Sequence, residues 1–126
     1  MTVSYDYDSR YEPAAPVVSV SFSLSGEMAL QEVEALLDSG ADATMVPVDV
    51  LITSQARYVE QRQMRGVIGE AVTVNLYLTA VHIGEHVVQG VRAIGVPVGS
   101  EVIIGRDVLN QIEVTLDSPA QETRIR

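Results

Sequence analysis

Residues 36–47 read LLDSGADATMVP, and the predicted fold depends on how this stretch is interpreted. Asp38 directly follows an apolar run at residues 35–37 and is followed by a small hydroxyl residue and a glycine. Asp-Ser-Gly tripeptides are common turn formers, so the stretch fits a polar turn that closes a buried strand. The apolar run also anchors the turn to the core, as a rigidly presented catalytic carboxylate requires. Features elsewhere in the chain are needed to decide between a simple turn and a catalytic carboxylate.

Length and composition indicate one small domain rich in β-structure. A chain of 126 residues suffices for a single packed core. Hydrophobic residues make up 47% and aromatic residues only 5%, and the recurring valine and isoleucine favour sheet over helix. Cysteine is absent, which excludes disulfides and thiolate metal sites. All eight basic residues are arginine and the net charge is −9, which argues against nucleic acid as a partner.

The sequence gives no sign of membrane insertion or secretion. No stretch approaches the roughly 20 apolar residues that span a membrane, so no membrane partner is expected. Residues 1–16 are polar, acidic and proline-containing, unlike a secretory signal. A cytoplasmic location is therefore predicted.

The hydrophobic pattern divides the chain into a flexible N-terminal arm at residues 1–16, a domain at residues 17–116 and a C-terminal extension at residues 117–126. Apolar residues alternate with serines over residues 18–24, as in a half-buried strand. Further strands are predicted at residues 30–37, 72–78, 87–94 and 113–116. A helical turn is expected at residues 47–51, a loop at residues 53–63 and one short helix at residues 106–111. Short strands with glycine turns are typical of an all-β fold, here a small closed or folded β-barrel.

The chemistry that Asp38 suggests needs a second acid. Hydrolysis of a peptide bond by water requires one group that accepts a proton from the water and another that donates a proton to the carbonyl oxygen. Two carboxylates that share one proton fill both roles, because like charges about 3 Å apart resist double ionisation. Gly40 would allow backbone and substrate to approach the acid closely. The chain contains a single Asp-Ser-Gly, so one copy supplies half of such a pair.

Three segments occur in order along most of the chain, at residues 35–42, 66–69 and 103–112. They resemble three segments of retropepsins, the retroviral-type aspartic proteases. Residues 35–42 resemble the catalytic loop of that family and residues 66–69 its glycine-rich flap. Residues 103–112 resemble its segment of two apolar residues, glycine and arginine, together with the helix that follows. The resemblance covers about residues 17–116. It implies an aspartic endopeptidase that acts as a homodimer on polypeptide substrates, without metal or organic cofactor. The missing carboxylate would then be Asp38 of a second copy.

The resemblance also implies roles for individual residues. Asp38 becomes the catalytic residue, and Arg106 resembles the family arginine that pairs with the acid at Asp42. The residues implied to support the active-site loop are Ser39, Gly40, Ala41, Asp42, Gly105 and Arg106. Those implied to line substrate pockets are Met45, Glu101 and Ile103. The implied flap consists of Gly66, Val67, Ile68 and Gly69, with the amide of Ile68 holding a bridging water.

The sequence departs from the family pattern at several positions. Ser39 stands in place of the threonine usual in viral enzymes, and Val67 in place of a flap glycine. Glu101 puts a carboxylate on a pocket wall that is usually apolar, so we expect a preference for basic or polar substrate side chains. Retroviral members interleave their termini as a sheet at the dimer interface, whereas this chain has additional residues at both ends.

Two alternatives remain open. His82 and His86 have the i,i+4 spacing of a helical metal site, but Gly84 and the strand-like pattern around them favour a surface hairpin. A retropepsin-like domain can also serve as a catalytically weak or inactive module for dimerisation or peptide binding. The intact Asp-Ser-Gly favours the enzyme over the module.

Overall fold

The computed structural model describes residues 1–25, 31–66 and 68–126, so Val67 of the predicted flap lies outside the described residues. The strands of the described chain are β1 (Val3–Asp6), β2 (Val17–Ser23), β3 (Glu32–Leu37), β4 (Met45–Pro47), β5 (Arg57–Arg65), β6 (Ala71–Ile83), β7 (His86–Val96), β8 (Val102–Ile104), β9 (Val114–Asp117) and β10 (Glu122–Ile125). The described residues also contain two short helices, α1 (Val48–Thr53) and α2 (Arg106–Leu109). No helix in the described part of the chain is long and apolar enough to cross a membrane.

Six strands form a β-barrel, which confirms the all-β prediction. They follow one another in the order β2-β3-β8-β4-β7-β6, and β6 pairs with β2 to close the ring. Strand β5 lies outside the ring as the hairpin partner of β6. The pair β3–β8 is parallel, with Leu37 in register with Ile104. Because parallel strands end at the same edge of a sheet, the segments after Leu37 and Ile104 emerge side by side.

The hydrophobic core fills the barrel. Alternation along β2 places Val18, Val20 and Phe22 inside, as the sequence predicts. Both short helices attach to this core through one fully buried residue each, Leu51 in α1 and Val108 in α2. Each helix is therefore anchored to the core directly after a barrel strand, α1 after β4 and α2 after β8.

Strand β5 differs from the sequence-based expectation. The prediction of a loop at residues 53–63 is wrong for most of that range, because β5 begins at Arg57. Most β5 side chains are exposed and the strand pairs with β6 through its backbone, so no apolar alternation marks it. The helical turn expected at residues 47–51 is observed as α1, and the helix predicted at residues 106–111 is observed as Arg106–Leu109.

Strands from the two ends of the chain form a separate antiparallel sheet in the order β1-β10-β9. Strand β1 pairs with β10 from Val3 opposite Ile125 onward, and β10 pairs with β9. Ile125 is buried in the same core cluster as the barrel residues, which attaches this sheet to the barrel. The sequence predicts a flexible arm at residues 1–16, but that prediction does not hold for the β1 strand within it.

Candidate active site

Asp38 lies on the loop that follows β3. Its backbone N–H donates to the carbonyl oxygen of Ile104 on the parallel strand β8, at 3.0 Å. The turn closes when the N–H of Ala41 donates to the carbonyl oxygen of Asp38, at 3.1 Å. Leu37, the residue before it, is buried in the core. Asp38 is thus a half-buried residue on a turn that is both hydrogen-bonded and anchored.

The carboxylate of Asp38 is oriented by its own loop. The N–H of Gly40 donates to Oδ1 of Asp38 at 2.8 Å, a hydrogen bond strengthened by the charge of the acceptor. A Cβ atom at Gly40 would lie 3.1 Å from the same oxygen, closer than ordinary van der Waals contact. Glycine therefore leaves the approach to this carboxylate open, as the sequence pattern suggests.

Arg106 ties three points of the loop together from the start of α2. Its N–H donates to the carbonyl oxygen of Ala41 at 2.9 Å, and its Nη1 donates to the carbonyl oxygen of Ser39 at 2.7 Å. Its Nη2 forms an ion pair with the carboxylate of Asp42. Both charged side chains are substantially exposed, so the pair by itself stabilises the fold by only about 0–1 kcal/mol. Arg106 contributes mainly to the geometry of the loop, because its hydrogen bonds to Ser39 and Ala41 fix the backbone on either side of Gly40.

Beneath the loop lies a buried polar network that the sequence reasoning missed. Thr44 is fully buried, and its Oγ1 donates to Oδ1 of Asp107 at 2.7 Å while its N–H donates to Oδ2 at 3.0 Å. The N–H of Gly105 donates to the same Thr44 hydroxyl at 3.1 Å. Two signals were available, a threonine inside an apolar run and an acid in the first turn of α2. Their pairing across 63 residues was not visible in the sequence.

Gly105 packs directly under the loop that carries Asp38. A Cβ atom at this position would lie 2.7 Å from the carbonyl carbon of Ala43, 2.8 Å from its oxygen and 2.9 Å from the oxygen of Ala41. All three are backbone atoms, so a side chain here would have to displace the loop. The absence of a side chain at Gly105 therefore allows this strand end to pack against the loop backbone.

The predicted pocket residues lie in two places. Met45 of β4 and Ile103 of β8 face each other in register, and both are half-buried. Glu101 is exposed and borders a depression of about 380 Å³ that Leu36, Val102 and the N-terminal residues Asp8, Arg10 and Tyr11 also line.

The arginine in this depression is neutralised by its neighbours. Arg10 forms ion pairs with Asp8 and Glu34, and hydrogen bonds from Arg10 lower the pKa of Asp8. Glu101 forms no ion pair within residues 1–25, 31–66 and 68–126. The depression therefore offers an uncompensated carboxylate beside apolar side chains.

Gly66, Ile68 and Gly69 of the predicted flap lie between β5 and β6, at the tip of this hairpin. The N–H of Gly66 donates to the carbonyl oxygen of Glu70 at 2.7 Å, and the N–H of Gly69 donates back to Gly66 at 3.0 Å. Gly69 has φ +88°, a conformation that residues with a side chain rarely adopt. Ile68 is 88% exposed, so the tip presents an apolar side chain to its surroundings.

The two histidines do not assemble a metal site with other ligands. His82 hydrogen-bonds through Nε2 to Oγ of Ser23 at 2.7 Å, and His86 donates from Nε2 to the carbonyl oxygen of Arg126 at 2.7 Å. Both occupy the β6–β7 hairpin, as the strand-like pattern suggests. No group of three histidine or carboxylate side chains suited to a metal ion occurs among the residues that the structure describes.

Comparisons with known proteins identify the family. A family model described as retroviral aspartyl protease matches residues 13–117. Among solved structures, EIAV protease complexed with the inhibitor HBY-793 aligns with TM-score 0.54 and 19% identity, covering 77% of this chain and 86% of its own. A retropepsin-like aspartic protease from Rickettsia conorii aligns with TM-score 0.64 and 11% identity, covering 99% of this chain and 91% of its own. A search of curated proteins finds no match.

The likeness to the two solved structures concerns the fold, whereas the family model also matches the sequence. The matched range contains both the loop with Asp38 and the segment with Arg106 that ties this loop together. Sequence, barrel and loop geometry point to the same assignment, and the chain belongs to the retroviral aspartyl protease family.

Proposed function

We propose that the protein is an aspartic endopeptidase, active as a homodimer in which each chain contributes Asp38. The observation that carries this proposal is the position of Asp38 on a turn anchored to β8 and tied down by Arg106. The carboxylate is half-buried and accepts a hydrogen bond from Gly40. A turn that only closed a strand would not need this support, since surface turns generally tolerate change.

The reaction would proceed by direct attack of water, without a covalent intermediate. One carboxylate accepts a proton from the water while the water oxygen bonds to the peptide carbonyl carbon, and the other donates a proton to the carbonyl oxygen. The tetrahedral intermediate then collapses when the amide nitrogen is protonated and leaves as an amine. Two Asp38 side chains sharing one proton supply both functions, because their mutual repulsion disfavours double ionisation.

We propose that the β5–β6 hairpin acts as the flap over the substrate. An extended peptide would bind in strand-like form through its backbone, and closure of the hairpin would exclude water from the site. The exposed Ile68 at the hairpin tip supports this role, because a large apolar side chain in water is stabilised when a bound chain covers it. Met45, Ile103 and Glu101 would then contact substrate side chains.

The roles of the surrounding residues follow from their contacts. Ser39 presents an exposed hydroxyl beside Asp38, suited to a hydrogen bond across the two-fold axis. The ion pair between Asp42 and Arg106 supports a role in holding the loop, which would border the substrate channel. Gly40 and Gly105 permit the close approach of substrate and of the underlying strand.

The test is proteolysis of an unfolded protein between about pH 3 and pH 7, where a dyad can hold one shared proton. Wild-type protein should cleave, and the Asp38→Asn variant, which keeps the side-chain size, should not. Cleavage that persists in the variant would indicate a contaminating protease. Wild-type protein that dimerises and binds peptide without cleaving it would instead support a dimerisation or peptide-binding module.

A further inference from the structure

Half of the eight arginines in this chain lie on β5 and on the part of β7 that is close to it. They are Arg57, Arg62, Arg65 and Arg92. Within the described ranges Arg57 and Arg65 form no ion pair, and Arg62 and Arg92 share one acid, Glu60. Each of the remaining four arginines has an acidic partner of its own elsewhere in the structure. A chain of net charge −9 therefore concentrates its uncompensated positive charge beside β5.

Strand pairing puts three of these arginines on one face of the sheet. Arg57 and Arg92 are both in register with Leu78 of β6, one from each side. Arg62 is in register with a β6 residue four positions before Leu78, and Glu60 with one two positions before it. Because side chains alternate with a period of two, all of them lie on the same face as Leu78. We call the surface formed by Arg57, Glu60, Arg62 and Arg92 the arginine face, and its three arginines are exposed.

The arginine face lies on the same side of the sheet as the predicted pocket residue Met45. The register runs from Met45 of β4 to Ile94 of β7, then to Leu76 of β6 and finally to Glu60 of β5. Three strand spacings of about 4.8 Å separate Met45 from Glu60, roughly 14 Å along the sheet. An extended peptide covers this distance with about four residues. A bound chain that fills the cleft therefore reaches the arginine face a few residues further along.

We propose that the arginine face binds acidic side chains of the polypeptide substrate, about four residues from the one that contacts Met45. This inference rests on the proposed function and names the class of substrate that the same cleft selects. In the proposed homodimer, two-fold symmetry places one arginine face beyond each end of the cleft. Acidic residues are therefore favoured on both sides of the cleaved bond, outside the apolar segment that the pockets hold.

A carboxylate of a peptide suits this face because its arginines are free or weakly paired. The planar guanidinium group donates two parallel hydrogen bonds to a carboxylate, and Arg57 has no acidic partner in the described part of the chain to occupy it. Arg92 lies 3.8 Å from Glu60, a long and exposed ion pair that an incoming carboxylate replaces with little loss.

Nucleic acid fits the same face less well. A nucleic-acid site neutralises a series of phosphates with an extended basic surface, whereas this face carries three arginines and one acid. The net charge of −9 repels a long polyanion as it approaches. A few carboxylates on a peptide that the cleft already holds meet the arginines at short range.

Peptide binding to the Asp38→Asn variant tests the face without cleavage. Two synthetic peptides share a central run of five apolar residues and carry flanks that alternate threonine with either glutamate or glutamine. Fluorescence anisotropy with an uncharged fluorophore gives their Kd near pH 7, where glutamate is ionised. We expect the glutamate peptide to bind about fivefold more tightly at about 0.1 M salt, the effect of two exposed ion pairs. This preference should disappear at about 1 M salt, where the Debye length is only about 3 Å.

The sign of this preference is informative because the net charge predicts the opposite. A protein of net charge −9 without a local basic site would bind the glutamate peptide more weakly than the glutamine peptide. Arg57→Gln and Arg92→Gln together should reduce the preference to less than about twofold. Arg126→Gln makes the same change of charge at an exposed arginine outside the arginine face and should leave the preference unchanged.

The outcomes separate the arginine face from the peptidase proposal. Equal binding of the two peptides, or a preference that survives in the double variant, would overturn the arginine face and leave the peptidase proposal standing. A glutamate preference that requires Arg57 and Arg92, in a chain whose wild type does not cleave unfolded protein, would support the face and refute the enzyme. Displacement of the glutamate peptide by an equal concentration of a single-stranded oligonucleotide would reveal a general polyanion site and overturn selection of acidic peptides.

Discussion

Replacement of Thr44 by valine is the sharpest test of the buried network beneath the catalytic loop. Valine keeps the shape of the side chain but removes the hydroxyl that donates to Asp107 and accepts from Gly105. The substitution loses a hydrogen bond to a charged group and leaves a buried N–H without its partner. Together these effects should lower the free energy of unfolding by about 2–4 kcal/mol. The loop that carries Asp38 should also lose its support.

Thr79→Val is the matched control. Thr79 is also fully buried, and its Oγ1 donates to the carbonyl oxygen of Ser23 at 3.0 Å, a neutral partner. Loss of this hydrogen bond should lower the free energy of unfolding by about 1–2 kcal/mol. Thr79 lies in β6 and makes none of the hydrogen bonds described for the Asp38 loop, so peptide cleavage by the folded fraction should stay at the wild-type level.

Urea unfolding gives the free energy of unfolding of both variants. The protein concentration is kept the same throughout, because dimerisation makes apparent stability depend on concentration. The rate of peptide hydrolysis at low urea reports whether the Asp38 loop keeps its position. We expect Thr44→Val to lose cleavage activity by one to two orders of magnitude, since a displacement of about 1 Å in a catalytic group has effects of this size. Thr44→Ser, which restores the hydroxyl, should recover most of the activity. Equal stability losses in the two valine variants, or full activity in Thr44→Val, would refute the reasoning.

Three further predictions follow from individual contacts. Gly105→Ala should destabilise the fold by about 1–3 kcal/mol in urea unfolding and reduce peptide cleavage, because its Cβ would collide with the loop backbone; wild-type behaviour would contradict that packing. Glu101→Val should reduce a preference for arginine-containing over leucine-containing peptides by up to about fivefold in kcat/KM, the effect of an exposed ion pair; an unchanged preference would exclude Glu101 from the pocket. Cleavage should decline as rising pH removes the shared proton from the dyad, and a rate still rising at about pH 9 would contradict the mechanism.

The parts of the fold that the sequence predicts are those with local signals. Residues 18–24 alternate strictly, and residues 72–78 alternate again, so β2 and β6 were visible without tertiary information. The Asp-Ser-Gly turn and the Ile103–Ile104–Gly105–Arg106 run combine chemistry with spacing, which identified the family. In both cases the residues that carry the signal are neighbours in the chain.

The parts that escaped prediction depend on contacts between distant residues. Strand β1 pairs with β10 across more than a hundred residues, so the polar composition of residues 1–16 suggested a flexible arm. Strand β5 exposes most of its side chains and is held by backbone pairing with β6. The Thr44–Asp107 pair joins the residue before β4 to helix α2, which the pairing of β8 with β3 and β4 brings together.

In the proposed enzyme, two Asp38 carboxylates from different chains form one active site. The direct measurement is the cleavage rate of a fixed amount of wild-type protein to which increasing amounts of the Asp38→Asn variant are added and allowed to exchange. If the site is shared, an equal amount of variant should lower the rate by about half, and a large excess should abolish it, because mixed dimers carry only one carboxylate. A rate that does not change with added variant would show that a single chain is sufficient and would contradict the account.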